Sequence, residues 1–174
     1  MAHRSAARLR IELLAADHDR VAFSCGVPEL DIYIRERAGQ DMKRHLASVF
    51  VLLEGGPMLG YYTLSQQAIS LESMPPEIAK RLPKYGLIPA TLIGRLAVHA
   101  DHQGRGLGSL LLVDALRRSW YAARTVASFA VRVDATDERA REFYLRHDFR
   151  PFPVERQRLF LPMADLERLF STRL

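Results

Sequence analysis

Residues 91–120, TLIGRLAVHADHQGRGLGSLLLVDALRRSW, constrain the fold more than any other part of the chain. Residues 91–99 read as a strand, residues 104–108 are glycine-dense, and Leu107, Leu110, Leu111 and Ala115 then recur at helical spacing. A strand that turns so tightly into an apolar helix needs a sheet on which that helix can lie. Glycines at a helix entrance let the backbone approach a ligand closely. The unpaired N–H groups and positive dipole end there favour a phosphate or pyrophosphate, and Arg105 adds a side-chain charge. A Walker loop needs Gly-Lys-Ser/Thr at its end, and none is present. A dinucleotide fingerprint from Gly104 and Gly106 needs a third glycine where Ser109 stands. The residues alone leave two readings open, a phosphate cradle and a tight packed turn.

The rest of the pattern sets the class. Residues 8–14 suit a first strand; Pro28 opens a helix in which Leu30, Ile34, Ala38 and Met42 recur every four residues. Residues 47–53 and 58–65 form a hairpin about Gly55-Gly56-Pro57. Four prolines within residues 71–89 imply a short helix in irregular chain. Residues 128–133 and 157–163 read as strands, with Ala140, Phe143, Tyr144 and His147 on one helical face between them and a short amphipathic end after 163. A hairpin combined with two strand–helix–strand units gives an α/β (α+β) class, one mixed sheet flanked by helices.

Length and composition bound the function. With 174 residues the chain is expected to form a single domain, 1–174, with a core that needs no staples. No apolar run approaches the roughly 20 residues of a membrane span, and the charged first residues are no secretory signal. One cysteine, Cys25, excludes a disulfide framework and a cysteine zinc site, and the six histidines show no metal-ligand spacing. A cytoplasmic protein without metal or membrane is expected. The net charge of +5 rests almost wholly on arginine, the better phosphate ligand.

Gln103-Gly104-Arg105-Gly106-Leu107-Gly108 resembles the Q/R-x-x-G-x-G/A signature of the GCN5-related N-acetyltransferases, the GNAT superfamily. The resemblance implies a mostly antiparallel central sheet with splayed strands and a coenzyme-binding core over about 91–150. Acetyl-CoA would be the cosubstrate, its pyrophosphate on the amides of residues 103–109, including Ser109. Its pantetheine arm would pair with the main chain of Leu96, Ala97 and Val98 as an added strand. Ala140-Arg141-Glu142-Phe143-Tyr144 resembles the A-x-x-F-Y helix of that family, which makes Tyr144 the catalytic acid toward the leaving thiolate. Many relatives carry Asn where this chain has Asp137, which also suits an N-cap.

The resemblance extends over roughly residues 9–163, through Phe23-Ser24-Cys25-Gly26-Val27-Pro28, Gly60-Tyr61-Tyr62-Thr63-Leu64, Ile93-Gly94-Arg95-Leu96-Ala97-Val98 and Arg158-Leu159-Phe160-Leu161-Pro162-Met163. These stretches look like the toxin-related GNAT subgroup, with Asp148-Phe149 in place of its usual Gly-Phe. It implies an aminoacyl-tRNA substrate acetylated on its α-amino group, a separate ribbon-helix-helix antitoxin and a homodimer. Arg95, Arg35, Lys43 and Arg44 are the candidates on the acceptor side, where phosphate contacts would dominate affinity. An α-amine, with a reference pKa near 8, is partly neutral at cellular pH and needs little help from a base. Glu54, Glu72 and His99 are the candidate bases, each also readable as a turn, cap or strand-end residue. The competing activities are acetylation of a protein N-terminus or small amine, and coenzyme binding without chemistry.

Overall fold

The computed structural model describes residues 7–171. The first six residues, with His3, and the last three of the expected 1–174 span lie outside them. Seven strands, β1 (Leu9–Leu13), β2 (Ser48–Glu54), β3 (Met58–Ser70), β4 (Leu87–Val98), β5 (Ala130–Asp134), β6 (Arg150–Pro151) and β7 (Arg158–Pro162), form one sheet in the order β1-β2-β3-β4-β5-β7-β6. The pairings β1–β2, β2–β3, β5–β7 and β6–β7 are antiparallel, and β4–β5 is parallel. The expected mixed, mostly antiparallel sheet is therefore present, with the short strand β6 added to it.

The helices are α1 (Pro28–Ile32), α2 (Ala38–Lys43), α3 (Pro76–Ala79), α4 (Leu107–Ala123), α5 (Glu138–Arg146) and α6 (Met163–Ser171). Backbone contacts divide the chain into two compact units. The first holds the residues up to Leu64 together with Arg95–Ala115, and the second holds Ser65–Gly94 together with the residues from Leu116 on.

In the first unit, Pro28 opens α1 as expected, but the helix does not run on unchanged. A π-helical turn, Tyr33–Arg37, joins α1 to α2, and Ala38 N–H donates to Tyr33 O, five residues back. The sequence explains it. An α-helix advances about 100° per residue, so a stripe repeating every four residues drifts by about 40° each step. The wider π turn absorbs that excess. Ile34 and Ala38 are both fully buried, and Leu30 and Met42 pack against the same core with Phe23, Val51 and Tyr61.

In the second unit, Ile69, Met74, Ile88, Ala90, Ala130, Phe152 and Phe160 form the core. Asp137 caps α5 by accepting from Ala140 N–H at 2.7 Å, which is the N-cap role its position suggested. The amphipathic end is α6. Its Leu166 and Phe170 are buried, Phe170 lies against Trp120 (ring centroids 5.6 Å apart), and Trp120 Nε1 donates to Glu167.

Candidate active site

The site begins where β4 outruns its partner. The parallel ladder pairs Ala90–Ile93 with Ala130–Val133, and β4 continues to Val98. Arg95, Leu96, Ala97 and Val98 thus extend past the last pair of that ladder, as the splayed-strand expectation requires.

The turn after β4 is tied down at both ends. His99 N–H donates to Leu59 O and Ala100 N–H to Ser24 O, both at 2.8 Å. A single 3₁₀ turn (Ala100–His102) follows, and Gln103 Nε2 donates to both Val98 O and Cys25 O at 3.2 Å. Gln103 therefore acts through its amide as a clamp that joins the end of β4, the loop before α1 and the glycine turn. The partner Cys25 was visible in the sequence only as a small packed residue. It is buried, and burial, with Asp31 behind it, pushes its thiol up to about 11. At cellular pH it stays protonated and is no nucleophile.

Gly104 and Gly106 adopt φ of +82° and +76°, a region that L side chains enter only with strain. No atom lies within 4 Å of where a Cβ would stand on either, so the turn presents bare backbone outward. Leu110 N–H makes the first helical bond, to Gly106 O. The amides of Leu107 and Gly108 precede it, at the positive end of a 17-residue helix. Positive φ is the local demand that places glycine at both positions, whatever the turn holds.

Arg105 differs from expectation in its surroundings. Its guanidinium contacts Glu54 Oε1 at 3.2 Å and His102 Nδ1 at 2.9 Å. The charge counted toward the phosphate cradle is thus shared with Glu54, and that same pair removes Glu54 as a free base. His99 is equally committed: Nδ1 accepts from Asp101 N–H at 3.1 Å and Nε2 lies 3.3 Å from Ala22 O. Glu72 is exposed on a 3₁₀ turn after β3.

The acceptor-side candidates divide. Arg35, Lys43 and Arg44 are exposed on or just after the first helix, with Arg35 Nε donating to Asp31 O at 3.2 Å. Arg95 is half-buried, its guanidinium carbon 3.6 Å above the centre of the Tyr33 ring. Tyr33 in turn donates to Asp41 Oδ2 at 3.0 Å and stacks on Tyr61. Burial, reinforced by the Asp41 hydrogen bond and opposed by Arg95, pushes the Tyr33 phenol up to about 12.

Tyr144 lies on α5, in the second unit, and is 8% exposed. Its ring packs between Phe143 and Phe149, with centroids 5.2 and 5.4 Å away. Burial pushes its pKa up, so the phenol holds its proton throughout the physiological range, and among the described residues its hydroxyl has no hydrogen-bond partner. Sequence reasoning missed Gly60, whose missing Cβ leaves room for Ala97 O and Leu111 Cδ1. A lone glycine inside a strand is the signal for such close approach.

Sheet order, strand extension and glycine-gated helix place the chain among acetyltransferases that draw their acyl group from acetyl-CoA. A family model described as the acetyltransferase (GNAT) domain matches residues 45–151, and the chain belongs to that family. It is 36% identical, over 153 residues covering 88% of this chain and 91% of the relative, to a tRNA-acetylating toxin of Mycobacterium tuberculosis. A crystal structure of a tyrosine-to-phenylalanine mutant of KacT matches 93% of this chain and 99% of its own, with a TM-score of 0.88 and 30% identity. AtaT complexed with acetyl-methionyl-tRNAfMet matches 94% and 99%, with a TM-score of 0.87 and 29% identity. A tyrosine-to-phenylalanine mutant of AtaT is also solved bound to acetyl-CoA and to the C-terminus of the antitoxin AtaR.

Among the described residues no histidine, cysteine or carboxylate cluster could hold a metal, and no helix is long and apolar enough to cross a membrane.

Proposed function

We propose that this chain acetylates the α-amino group of an aminoacyl-tRNA, as the toxin of a toxin–antitoxin pair that blocks translation. The observation that carries the coenzyme half is the clamp by Gln103, which fixes the glycine turn against the end of a strand already free of its β5 ladder. The likeness to a tRNA-acetylating toxin and to AtaT bound to an acetylated tRNA supports the acceptor half.

In this reading the chain works as one acetyltransferase domain. The amides around Gly104, Gly106, Leu107, Gly108 and Ser109 hold the pyrophosphate, and the main chain of Leu96, Ala97 and Val98 pairs with the pantetheine arm. A neutral α-amine attacks the acetyl carbonyl without a dedicated base, in keeping with the commitments of Glu54 and His99. A β4 backbone N–H steadies the oxyanion. The C–N bond forms, the C–S bond breaks, Tyr144 O–H donates its proton to the departing thiolate, and the surplus proton lost from the acylated nitrogen returns through solvent to the Tyr144 phenolate, leaving amide, free thiol and neutral tyrosine. A phenol pKa raised by burial does not forbid this step, because the thiolate formed in the same dry surroundings is raised as well. Arg95, Arg35, Lys43 and Arg44 serve the tRNA. A separate ribbon-helix-helix antitoxin neutralises the enzyme, which acts as a homodimer in the cytoplasm; AtaT bound to its antitoxin supports the first of these.

The test is transfer of label from radiolabelled acetyl-CoA to total charged tRNA, run beside deacylated tRNA and a Tyr144→Phe variant. Label on charged tRNA alone, lost in the variant, is expected. Tight acetyl-CoA binding with no label on charged tRNA overturns the acceptor assignment and turns attention to peptides and small amines.

A further inference from the structure

Arg95 is held differently from the arginines that pair with carboxylates. Arg105, Arg132, Arg150 and Arg158 each meet a carboxylate within 3.3 Å. Arg95 is half-buried and, among the described residues, has neither a hydrogen bond nor an ion pair. Its guanidinium carbon lies over the face of Tyr33, 3.6 Å from the ring centre. Taking a guanidinium partly out of water without an anion is costly unless an anion arrives with the ligand.

The support beneath it is elaborate. Tyr33 is 2% exposed, begins the π-helical turn, and stacks on Tyr61 with ring centroids 6.3 Å apart. Its hydroxyl donates to Asp41 Oδ2 at 3.0 Å, which enriches the ring in electron density and strengthens its hold on a cation. π turns often occur at functional sites. A guanidinium lying flat on a ring keeps its in-plane N–H fork free, and that fork matches two oxygens of one phosphate. Arg95 also opens the stretch of β4 that would hold the pantetheine arm, so an anion bound there belongs to the acceptor.

We propose that Tyr33, braced by Asp41, is a positioning residue that holds the Arg95 guanidinium edge-out for one backbone phosphate of the acceptor tRNA. The inference rests on the aminoacyl-tRNA reading above. It assigns a role to the Tyr33–Asp41 pair that the coenzyme chemistry does not need.

The experiment measures binding of deacylated tRNA against salt, and steady-state KM for charged tRNA and for acetyl-CoA, in wild type, R95Q, D41N, Y33F, Y33L and the R95Q/D41N double variant. R95Q should reduce the slope of log affinity against log salt by about 0.7–0.9, the loss of one phosphate contact. It should also raise KM for charged tRNA about tenfold while KM for acetyl-CoA stays put. Y33L should match R95Q in KM for tRNA. D41N and Y33F, which keep the ring, should cost only about threefold. The double variant should be no worse than R95Q alone, because both act through one group. R95Q and D41N both leave the buried Tyr33 ring in place, so the proposal stays falsifiable even where Y33L fails to fold. A wild-type salt slope in R95Q, additive losses in the double variant, or an equal rise in KM for acetyl-CoA overturns the proposal. If wild type acetylates charged tRNA and R95Q keeps its slope, this inference alone falls. If wild type neither binds nor acetylates tRNA, the substrate reading falls and takes this one with it.

Discussion

Gly60→Ala offers a sharp test of how the end of β4 is seated. A Cβ at Gly60 would stand 2.7 Å from Ala97 O, 2.8 Å from Leu111 Cδ1 and 3.6 Å from Val98 Cα. The Leu111 methyl has some freedom, but it is fully buried, and the Ala97 carbonyl is backbone in the stretch assigned to the pantetheine arm. Ordinary contact requires about 0.7 Å more room, which a core at crystal-like density does not hold in reserve. Overpacking of this kind costs about 1–3 kcal/mol. The reduced freedom of the unfolded chain returns about 0.4–1 kcal/mol. A net loss of about 1–2 kcal/mol lowers Tm by about 2–8 °C in a chain of this size. Any relief by displacement moves Ala97, so KM for acetyl-CoA should rise about tenfold, given that misplacement of order 1 Å can cost 10²-fold in rate. Gly56→Ala is the control: a Cβ there meets nothing within 4 Å, and stability should stay within about 0.5 kcal/mol of wild type. Thermal unfolding and coenzyme titration read both effects. A Gly60→Ala protein with wild-type Tm and wild-type KM for acetyl-CoA would refute the account of β4 as a strand held tightly from behind.

Three further outcomes are expected. Tyr144→Phe should lower kcat about 10²–10⁴-fold and leave acetyl-CoA affinity intact, measured by turnover on charged tRNA and by calorimetry; an unchanged kcat removes Tyr144 as the acid. Asp137→Ala deletes the cap on Ala140 N–H and should cost about 1 kcal/mol, or about 2–4 °C in Tm, with no change in KM for acetyl-CoA. Stability should fall as pH rises above 9. There the unfolded Cys25 thiol, at its ordinary value of 9.0, begins to ionise while the folded one, at about 11, holds its proton. Urea midpoints from pH 8 to 11 should show the decline, and Cys25→Ala should flatten its first part.

What was legible in the sequence follows from how far each signal reaches along the chain. Gly104 and Gly106 announced themselves because positive φ is a local demand that glycine meets. Asp137 was visible as a cap because its partner, Ala140, is three residues away. The four-residue stripe on the first helix gave the buried face correctly. The π turn it required lay in the arithmetic, since a period of four cannot stay on one face of an unbroken α-helix. Strands β3 and β4 extend beyond their expected limits because their outer halves carry polar residues and prolines, and the neighbouring strands, not local preference, keep them extended. The two-residue strand β6 is too short to show any period. Tyr144 was readable only through resemblance, since a buried tyrosine beside a phenylalanine is by itself a packing residue.

The same reasoning explains why the acceptor side is the least legible part of the chain. Arg105 sits in the motif and looked like the phosphate ligand, yet Glu54, fifty-one residues away in sequence, answers its charge. Arg95 is a candidate in the sequence because it lies beside the strand assigned to the coenzyme, but the Tyr33 ring beneath it, braced by Asp41, comes from a segment more than fifty residues away. Neither pairing leaves a local trace. Together they divide the labour in a way that suits two phosphate-bearing ligands. In the proposed reading, backbone amides at a helix end take the pyrophosphate, a role such amides can fill without an added cation. In the same reading a tRNA arrives by diffusion and must leave, and Arg95, with the exposed Arg35, Lys43 and Arg44, would give it a salt-sensitive hold that can be broken again. A chain built this way should bind acetyl-CoA almost indifferently to salt between 50 and 200 mM (roughly the range over which polyphosphate contacts weaken steeply) while its KM for charged tRNA climbs. Equal salt sensitivity for the two ligands would mean that side-chain charge, and not the amide cradle, holds the coenzyme.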